Sequence, residues 1–370
     1  MRFLFAGGGT AGHINPAIAI AGALKERDPN TEIAFVGTER GMENRLVPKE
    51  GYPIYHIDIQ GFKRSICLYN VQTVMKAAKA MNKAAHIIRE FKPDVVIGTG
   101  GYVSGPVVYQ AARMKIPTVI HEQNAYPGMT SKMLSRVVDK VLISFDSSRS
   151  YFKDQSKLTL VGNPIRENMN RQDPMQAKQE LQKEPHKPLI VCFAGSLGAE
   201  AINRVMVELI EQHKDDHRME VIFATGERYY DQVMEQLKDV TADTENYGHI
   251  HIQRYIYNMD QVMAAADVLV CRSGAITISE IACLHKASIL IPSPNVTGNH
   301  QYHNAKSYED VGGAVMIQEK DLTAQSLYQA IDDLLTHPEK RADIERNVQK
   351  VAYPDATQNI CDEVLELARR

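Results

Sequence analysis

No apolar stretch of this 370-residue chain approaches the roughly 20 uninterrupted residues that a helix needs to cross a bilayer, so any membrane contact must be peripheral. The N-terminus opens at once on a strand-like run and a glycine loop, leaving no room for the basic and apolar regions of a signal peptide. Cysteine is scarce. Cys67, Cys192, Cys271, Cys283 and Cys361 form no CxxC pair, and Cys192 and Cys271 lie in apolar strand-like runs where thiols pack as small hydrophobes. That usage fits a reducing cytoplasm. A long basic run is missing too, and a formal net charge of -3 with 24% charged residues gives no electrostatic basis for a nucleic-acid binder. The length exceeds one typical core and suits about two domains.

What the chain does have is glycine in three loops, each set between a β-type run and a helix. Gly7-Gly8-Gly9-Thr10-Ala11-Gly12-His13 follows Arg2 to Ala6 and precedes a helical run from Pro16 to Arg27. Gly100-Gly101-Tyr102-Val103-Ser104-Gly105-Pro106 follows Val95 to Gly98, and Gly195-Ser196-Leu197-Gly198-Ala199 follows Leu189 to Phe193. Glycine lets backbone amides approach a ligand closely, and a following helix aims unsatisfied N–H groups and its positive dipole end at an anion. Phosphate is the ligand these loops suggest.

Strand-like and helical runs alternate along nearly the whole chain. Glu32 to Val36, Val95 to Gly98, Thr118 to His121, Lys140 to Ser144 and Leu158 to Val161 form a first series of strands. Leu189 to Phe193, Glu220 to Thr225, His249 to Gln253, Val268 to Cys271 and Ser288 to Ile291 form a second. The alternation predicts an α/β protein of two parallel sheets covered by helices. Gly162-Asn163-Pro164 and the polar stretch ending in Glu184-Pro185-His186-Lys187-Pro188 have turn and linker composition, which places the domain boundary near Asn163. The domains are therefore 1–163 and 164–353. A last helix over 354–370, with apolar residues at helical spacing, packs back on the first domain in this reading.

The densest chemistry lies at Cys271 to Glu280, a strand end, a Ser-Gly turn and a helix start with a carboxylate in its first turns. Two carboxylate oxygens match a vicinal diol, so Glu280 suits the hydroxyls of a ribose while nearby amides hold phosphate. The alternative is a surface acid complementing the helix dipole. Gly298-Asn299-His300-Gln301-Tyr302-His303-Asn304 follows the next strand, and Gln301 is the leading contact for a sugar hydroxyl. His300 and His303 match no compact zinc signature. In the first domain His13 closes the first glycine loop, and an ordinary imidazole pKa suits a general base; a helix cap or phosphate contact is the other reading. His121-Glu122-Gln123-Asn124 brings further polar groups to the same sheet edge.

Gly7, Gly9 and Gly12 satisfy GxGxxG, which raises a dinucleotide-binding alternative. That reading needs an acid at the end of the second strand, and neither Glu32 nor Glu39 is clearly placed for it. It also leaves the other glycine loops and the Glu280 segment without a role.

The motif series in order resembles the MurG family of N-acetylglucosamine transferases of peptidoglycan synthesis. Gly8 to His13, Gly100 to Pro106, His121 to Asn124, Gly162 to Arg166, Gly195 to Ala199, Cys271 to Glu280 and His300-Gln301 carry the likeness across almost the full chain. The resemblance implies the GT-B fold, two Rossmann-like domains with parallel sheets facing across a cleft, and an inverting, metal-independent glycosyltransferase without cofactor. It implies transfer of N-acetylglucosamine from UDP-N-acetylglucosamine to lipid I, the undecaprenyl-pyrophosphoryl muramyl pentapeptide, giving lipid II. The first domain would take the lipid acceptor and the second the donor.

By the same resemblance Glu280 takes the ribose hydroxyls, with Ala275, Ile276, Thr277, Ile278 and Ser279 lining the donor beside it. The Ile256 backbone meets the uracil, Ser196 the diphosphate, and Gln301 and Asn124 the sugar. Arg166 and the run Thr10, Ala11 and Gly12 complete the donor side. Gly9, Gly101, Tyr102 and Ser104 cradle the acceptor diphosphate, and His13 is the base. The chain departs from the family pattern at Ala194, where glycine is common, and at Leu197, where glutamine is common and a side-chain hydrogen bond is lost.

A lipid acceptor calls for a surface that meets the cytoplasmic face of the membrane as a peripheral protein. Ile66-Cys67-Leu68-Tyr69, with Lys63, Arg64, Lys76, Lys79 and Lys83 around it, is the candidate for contact with anionic phospholipid. The helix from Val71 onward reads better as an ordinary amphipathic helix with a solvated lysine face, which leaves Ile66 to Tyr69 as the insertion candidate. A cell-wall synthesis assembly is a further possible partner. The rival functions are a UDP-N-acetylglucosamine 2-epimerase of the same fold, an NAD-dependent oxidoreductase and a nucleotide-sugar sensor.

Overall fold

The computed structural model describes residues 1–61, 68–166, 169, 172–195, 197–241 and 246–369. The chain forms two compact units, one of Met1–Ile165 with Tyr353–Arg370 and one of Arg166–Ala352.

The first unit runs β1 (Arg2–Gly7), α1 (Ala11–Arg27), β2 (Glu32–Gly37), α2 (Glu43–Lys49), β3 (Ile54–His56), α3 (Leu68–Phe91), β4 (Val95–Gly100), α4 (Gly101–Arg113), β5 (Thr118–Glu122), α5 (Met129–Leu134), β6 (Lys140–Ile143) and β7 (Leu158–Leu160). Among the described residues its sheet has the order β3-β2-β1-β4-β5-β6-β7, with every neighbouring pair parallel. The second unit runs α6 (Pro174–Glu180), β8 (Leu189–Phe193), α7 (Glu200–His213), β9 (Glu220–Ala224), α8 (Tyr230–Thr241), β10 (Asn246–Tyr247), β11 (Ile250–Gln253), α9 (Met259–Ala265), β12 (Val268–Cys271), α10 (Ala275–Cys283), β13 (Ala287–Leu290), α11 (His300–Glu309), β14 (Val315–Met316), α12 (Ala324–Thr336) and α13 (Pro338–Val348). Its sheet has the order β10-β11-β9-β8-β12-β13-β14. Here the two-residue edge strand β10 is antiparallel to β11, and the other neighbouring pairs are parallel as expected.

Side-chain alternation along β1 explains the layering. Leu4 and Ala6 face one side, where Ala84, Ile87 and Ile88 of α3 and Val103 and Val107 of α4 cover them. Phe3 and Phe5 face the other, packed with Ile14 and Ile20 of α1 and with Ile360, Cys361, Val364 and Leu367 of the last helix, α14 (Ala356–Ala368). Both faces are buried, so the strands are apolar throughout. In the second unit Ile190, Cys192, Val221 and Phe223 sit in one core with Ile202, Met206 and Ile210 of α7 and Leu327 and Ile331 of α12.

Both sheets reverse their strand order at one place: β1 beside β4 in the first unit, β8 beside β12 in the second. Loops leaving neighbouring strands to opposite faces open a crevice there, the usual ligand position of such sheets. All three glycine loops and the Ser273-Gly274 turn leave strands at these two points. The sequence reading starts the first helix at Pro16, whereas α1 begins at Ala11 and runs through that proline. The amides of Ala11 and Gly12 are thereby first-turn amides, without partners inside the helix.

α3 is an ordinary amphipathic helix over its described side chains: Ala80, Ala84, Ile87 and Ile88 are buried, Lys79 and Lys83 are exposed, and Lys76 pairs with Asp58 at 2.9 Å. Ile66 and Cys67 of the proposed membrane patch lie outside the described residues, as do Lys63 and Arg64. Among the described residues no helix is long and apolar enough to cross a membrane.

A buried polar network closes the β5–β6–β7 end of the first sheet. His121 Nε2 donates to the Gly162 carbonyl at 2.9 Å, Gln123 Nε2 lies 3.0 Å from His121 Nδ1, and Ser144 Oγ donates to Asn163 Oδ1 at 2.8 Å. Gly162 holds φ +85°, and a Cβ there would lie 2.3 Å from that of Tyr353. With a donor on Nδ1 the imidazole is neutral, and burial holds the His121 pKa below 6.5. The unfolded chain takes up this proton first as pH falls, so the stabilisation is complete above about pH 6.5 and is lost progressively below it, down through the lower pKa of the folded state. Burial depresses His249, His251 and His285 in the same direction. The urea midpoint therefore falls on acidification from about pH 7.5 to about pH 5.5, and His121→Gln flattens part of that slope.

Candidate active site

In the first unit the two glycine loops touch. The Gly8 carbonyl lies where a Cβ on Gly101 would be only 2.4 Å away, and the His13 ring lies where a Cβ on Gly100 would be 2.6 Å from Cδ2. Both Gly100 and Gly101 hold positive φ, 108° and 76°, so the close approach and the backbone conformation each call for glycine. His13 therefore sits where the loops meet. Its Nδ1 is 3.2 Å from the Gly8 carbonyl and 3.2 Å from Thr10 Oγ1. A carbonyl only accepts, so this contact needs the proton on Nδ1 and leaves the lone pair on Nε2.

The other first-unit candidates divide. Tyr102 is 37% exposed beside Gly9, and Thr10 and Gly12 are exposed at the head of α1. The Gly9 amide donates to Glu43 Oε2 at 3.2 Å, so what Gly9 offers a phosphate is close backbone approach and not its N–H. Ser104 corrects the sequence reading. It is buried, and its hydroxyl reaches the Ala6 carbonyl at 2.6 Å and the Gly100 carbonyl at 2.8 Å while taking the Gly100 amide at 3.1 Å. It ties the second glycine loop to β1 and has no reach to a diphosphate. Asn124 is held by Glu122, whose Oε1 accepts from Asn124 N at 3.0 Å and Nδ2 at 3.3 Å while Oε2 takes the Gly128 amide at 3.1 Å.

In the second unit Glu280 is 2% exposed on the inner side of α10. Its Oε1 accepts no hydrogen bond; Arg166 Nε stands 3.1 Å from it as an ion pair without hydrogen-bond geometry. Burial pushes the carboxyl pKa up to about 7, with Arg166 lowering it and Asp260 adding to the rise. This is no surface acid complementing a dipole. Around it Ala275 and Ile278 are buried, Ile276, Thr277 and Ser279 are half-buried, and the Ser279 hydroxyl donates to the Ala275 carbonyl at 2.9 Å. Ile256 is anchored by a buried side chain between exposed Tyr255 and Tyr257, which fixes the peptide assigned to uracil.

A pocket of about 960 Å³ opens at the same sheet edge, walled by Gly195, Leu197, Gly198, Arg204, Tyr229, Arg272 and Gln301 among others. Glu280 is not among its walls. Gly198 is pinned there by contact with Gly226 and the Thr225 carbonyl. Gln301 Oε1 accepts from the Ser293 amide at 2.9 Å, which orients the side-chain amide. Leu197 is 77% exposed in this pocket. Ser196 lies outside the described residues. His300 Nδ1 binds the Thr297 carbonyl at 2.9 Å, and among the described residues no three His, Cys, Asp or Glu side chains converge as a metal site. Buried Cys192, Cys271 and Cys361 all have pKa values raised by desolvation, as expected of packed, unreactive thiols.

Residues 3–143 match the glycosyltransferase family 28 N-terminal domain, and residues 189–360 match the glycosyltransferase family 28 C-terminal domain. A relative from Acetivibrio thermocellus is 47% identical over 369 residues, with 100% of this chain and 99% of the relative covered. It is a UDP-N-acetylglucosamine--N-acetylmuramyl-(pentapeptide) pyrophosphoryl-undecaprenol N-acetylglucosamine transferase. The chain belongs to this MurG family of N-acetylglucosaminyltransferases. The crystal structure of Acinetobacter baumannii MurG is 28% identical with a TM-score of 0.79, over 99% of both chains, and gives both units the GT-B fold. A UDP-GlcNAc 2-epimerase from Neisseria meningitidis, 13% identical with a TM-score of 0.63 over 99% of this chain and 100% of its own, shares the fold alone. The enzyme is a glycosyltransferase.

Sequence reasoning overlooked Glu43, an acid that organises the first glycine loop, and the Tyr229 wall of the pocket, and it gave Glu122 and Arg272 no role beyond membership of their motifs. The signal for Glu43 was its setting among Gly37, Gly41 and the loop glycines. Ser104→Ala leaves the Gly100 amide without its acceptor and costs about 1–3 kcal/mol of stability. Turnover per folded molecule holds, as paired denaturation and rate measurements will register.

Proposed function

We propose that the enzyme moves N-acetylglucosamine from UDP-N-acetylglucosamine to the C4 hydroxyl of the muramyl sugar of lipid I, forming lipid II with inversion at the anomeric carbon. The observation that carries this reading is Glu280, a buried carboxylate with an oxygen that accepts no hydrogen bond. Such an atom is costly unless a ligand supplies the donors, and a ribose diol supplies two. The second unit is thus assigned the donor, with the Ile256 backbone at the base, the loop of Gly195 to Gly198 and Arg166 at the diphosphate, and Gln301 at the sugar. Asn124 and the run Thr10 to Gly12 are assigned to the donor as well.

The acceptor diphosphate is assigned to the first unit, at Gly9, Gly101 and Tyr102. His13 Nε2 takes the proton of the attacking hydroxyl as the new bond forms, and backbone amides stabilise the charge growing on the departing UDP. Peripheral association with an anionic bilayer and membership of a cell-wall synthesis assembly belong to the same reading, since a polyprenyl acceptor is embedded in lipid.

A transfer assay with labelled UDP-N-acetylglucosamine and a polyprenyl-diphosphate muramyl acceptor tests the reaction. Label in the lipid fraction supports it, and conversion of the donor to its 2-epimer without acceptor would replace it. His13→Ala lowers kcat by about 10² to 10⁴-fold with UDP binding intact. Glu280→Gln weakens UDP binding by about 10- to 100-fold, because a hydrogen bond to a charged group is lost. The donor diol needs the carboxylate, and the empty site holds a proton with a pKa of about 7. UDP affinity in calorimetry therefore weakens as pH falls below about 7 in the wild type, and Glu280→Gln removes that dependence.

A further inference from the structure

We propose that Glu43 is a positioning residue that holds the first glycine loop, and through it the His13 imidazole, in the orientation for catalysis. An acid in the first turn of a helix normally faces water near the dipole. Glu43 opens α2 and is instead 1% exposed, turned back against the edge of the sheet. Both oxygens are engaged. Oε1 accepts from Thr38 N at 2.8 Å and Thr38 Oγ1 at 2.9 Å, and Oε2 accepts from Gly9 N at 3.2 Å. A carboxylate on the second-strand loop thus grips the first-strand loop 34 residues away in sequence.

The surroundings are cut to fit it. A Cβ on Gly8 would lie 2.7 Å from Glu43 Oε1, one on Gly37 2.5 Å from its Cγ, and one on Gly41 2.0 Å from Oε2. Three glycines therefore make room for one side chain. What it fixes is the Gly8–Gly9 peptide, whose two polar groups point to different partners. The N–H goes to Glu43, and the carbonyl of the same peptide goes to His13 Nδ1 at 3.2 Å. A peptide is planar, so holding its N–H also sets the direction of its carbonyl. That carbonyl requires the proton on Nδ1 and so presents the Nε2 lone pair. Glu43 touches no substrate in this arrangement and acts only through the loop.

The proposal rests on the His13 reading above for its effect on rate, but the orientation of the ring is measurable without catalysis. Glu43→Gln keeps the shape and puts an NH2 group where one oxygen was. Whichever way the amide turns, either Gly9 or Thr38 faces a donor instead of an acceptor. Gly41→Ala is the second variant: its methyl would stand 2.0 Å from Glu43 Oε2 and 2.1 Å from Oε1, so the intact carboxylate has to leave its place. Nitrogen-15 histidine spectra of the full-length enzyme, with His13→Ala to assign the signal, are compared with steady-state kinetics. In the wild type His13 carries its proton on Nδ1. In both variants the signal moves toward mixed tautomers, and kcat falls on the order of 10²-fold. The acid limb of the kcat–pH profile shifts.

A variant with lower melting temperature but an unchanged His13 signal and unchanged kcat per folded molecule overturns the proposal and leaves Glu43 a packing residue. Full activity in His13→Ala overturns the base assignment instead. A moved tautomer signal in Glu43→Gln then still supports the tether.

Discussion

The first unit depends on a contact between two backbones. The Gly8 carbonyl and the Gly101 α-carbon approach so closely that a methyl group on the latter would be 2.4 Å from oxygen. That approach lets loops from β1 and β4, neighbours at the strand-order reversal, share one space and bracket His13. Other features of this edge serve it. Ser104 ties the second loop to β1, Glu43 ties the first loop to β2, and the start of α1 at Ala11 turns two amides outward. The second unit repeats the device with different residues: Gly198 and Gly226 meet backbone to backbone, and the loop beside them opens on the pocket.

A preformed site of this kind stores unsatisfied polar groups, and the two units store opposite kinds. The first offers donors, the helix-head amides, to an anion. The second offers an acceptor, the Glu280 oxygen, to hydroxyl groups. The buried acceptor is the costly one when empty, since water reaches the helix-head amides, and the cores beneath, with sheets buried on both faces, supply the rigidity that keeps both from collapsing onto internal partners.

Much of the architecture was legible because a parallel sheet covered on both faces writes itself as continuous apolar runs such as Val95 to Gly98 and Leu189 to Phe193. The edge strands Ile54–His56, Asn246–Tyr247 and Val315–Met316 were not, since two or three residues carry no period. Pro16 misled the start of α1; a proline suits the first turn but is also carried further in, where one hydrogen bond is given up. Glu280 stood out as a carboxylate at a strand-to-helix turn, and its burial sets it apart from a surface acid that complements the helix dipole. Ser104 was misread because a motif records a hydroxyl and not the direction it points. Glu43 was invisible because its partner is 34 residues away and its place in a first turn has a commonplace explanation.

The last helix completes the hydrophobic layer under β1, with Ile360, Cys361, Val364 and Leu367 among Phe3, Phe5, Ile14 and Ile20. During synthesis on the ribosome, then, Met1–Ile165 holds that face of its sheet under α1 and α2 only, until α14 emerges. A nascent chain in that interval leaves the α14 side of that apolar layer open to a chaperone.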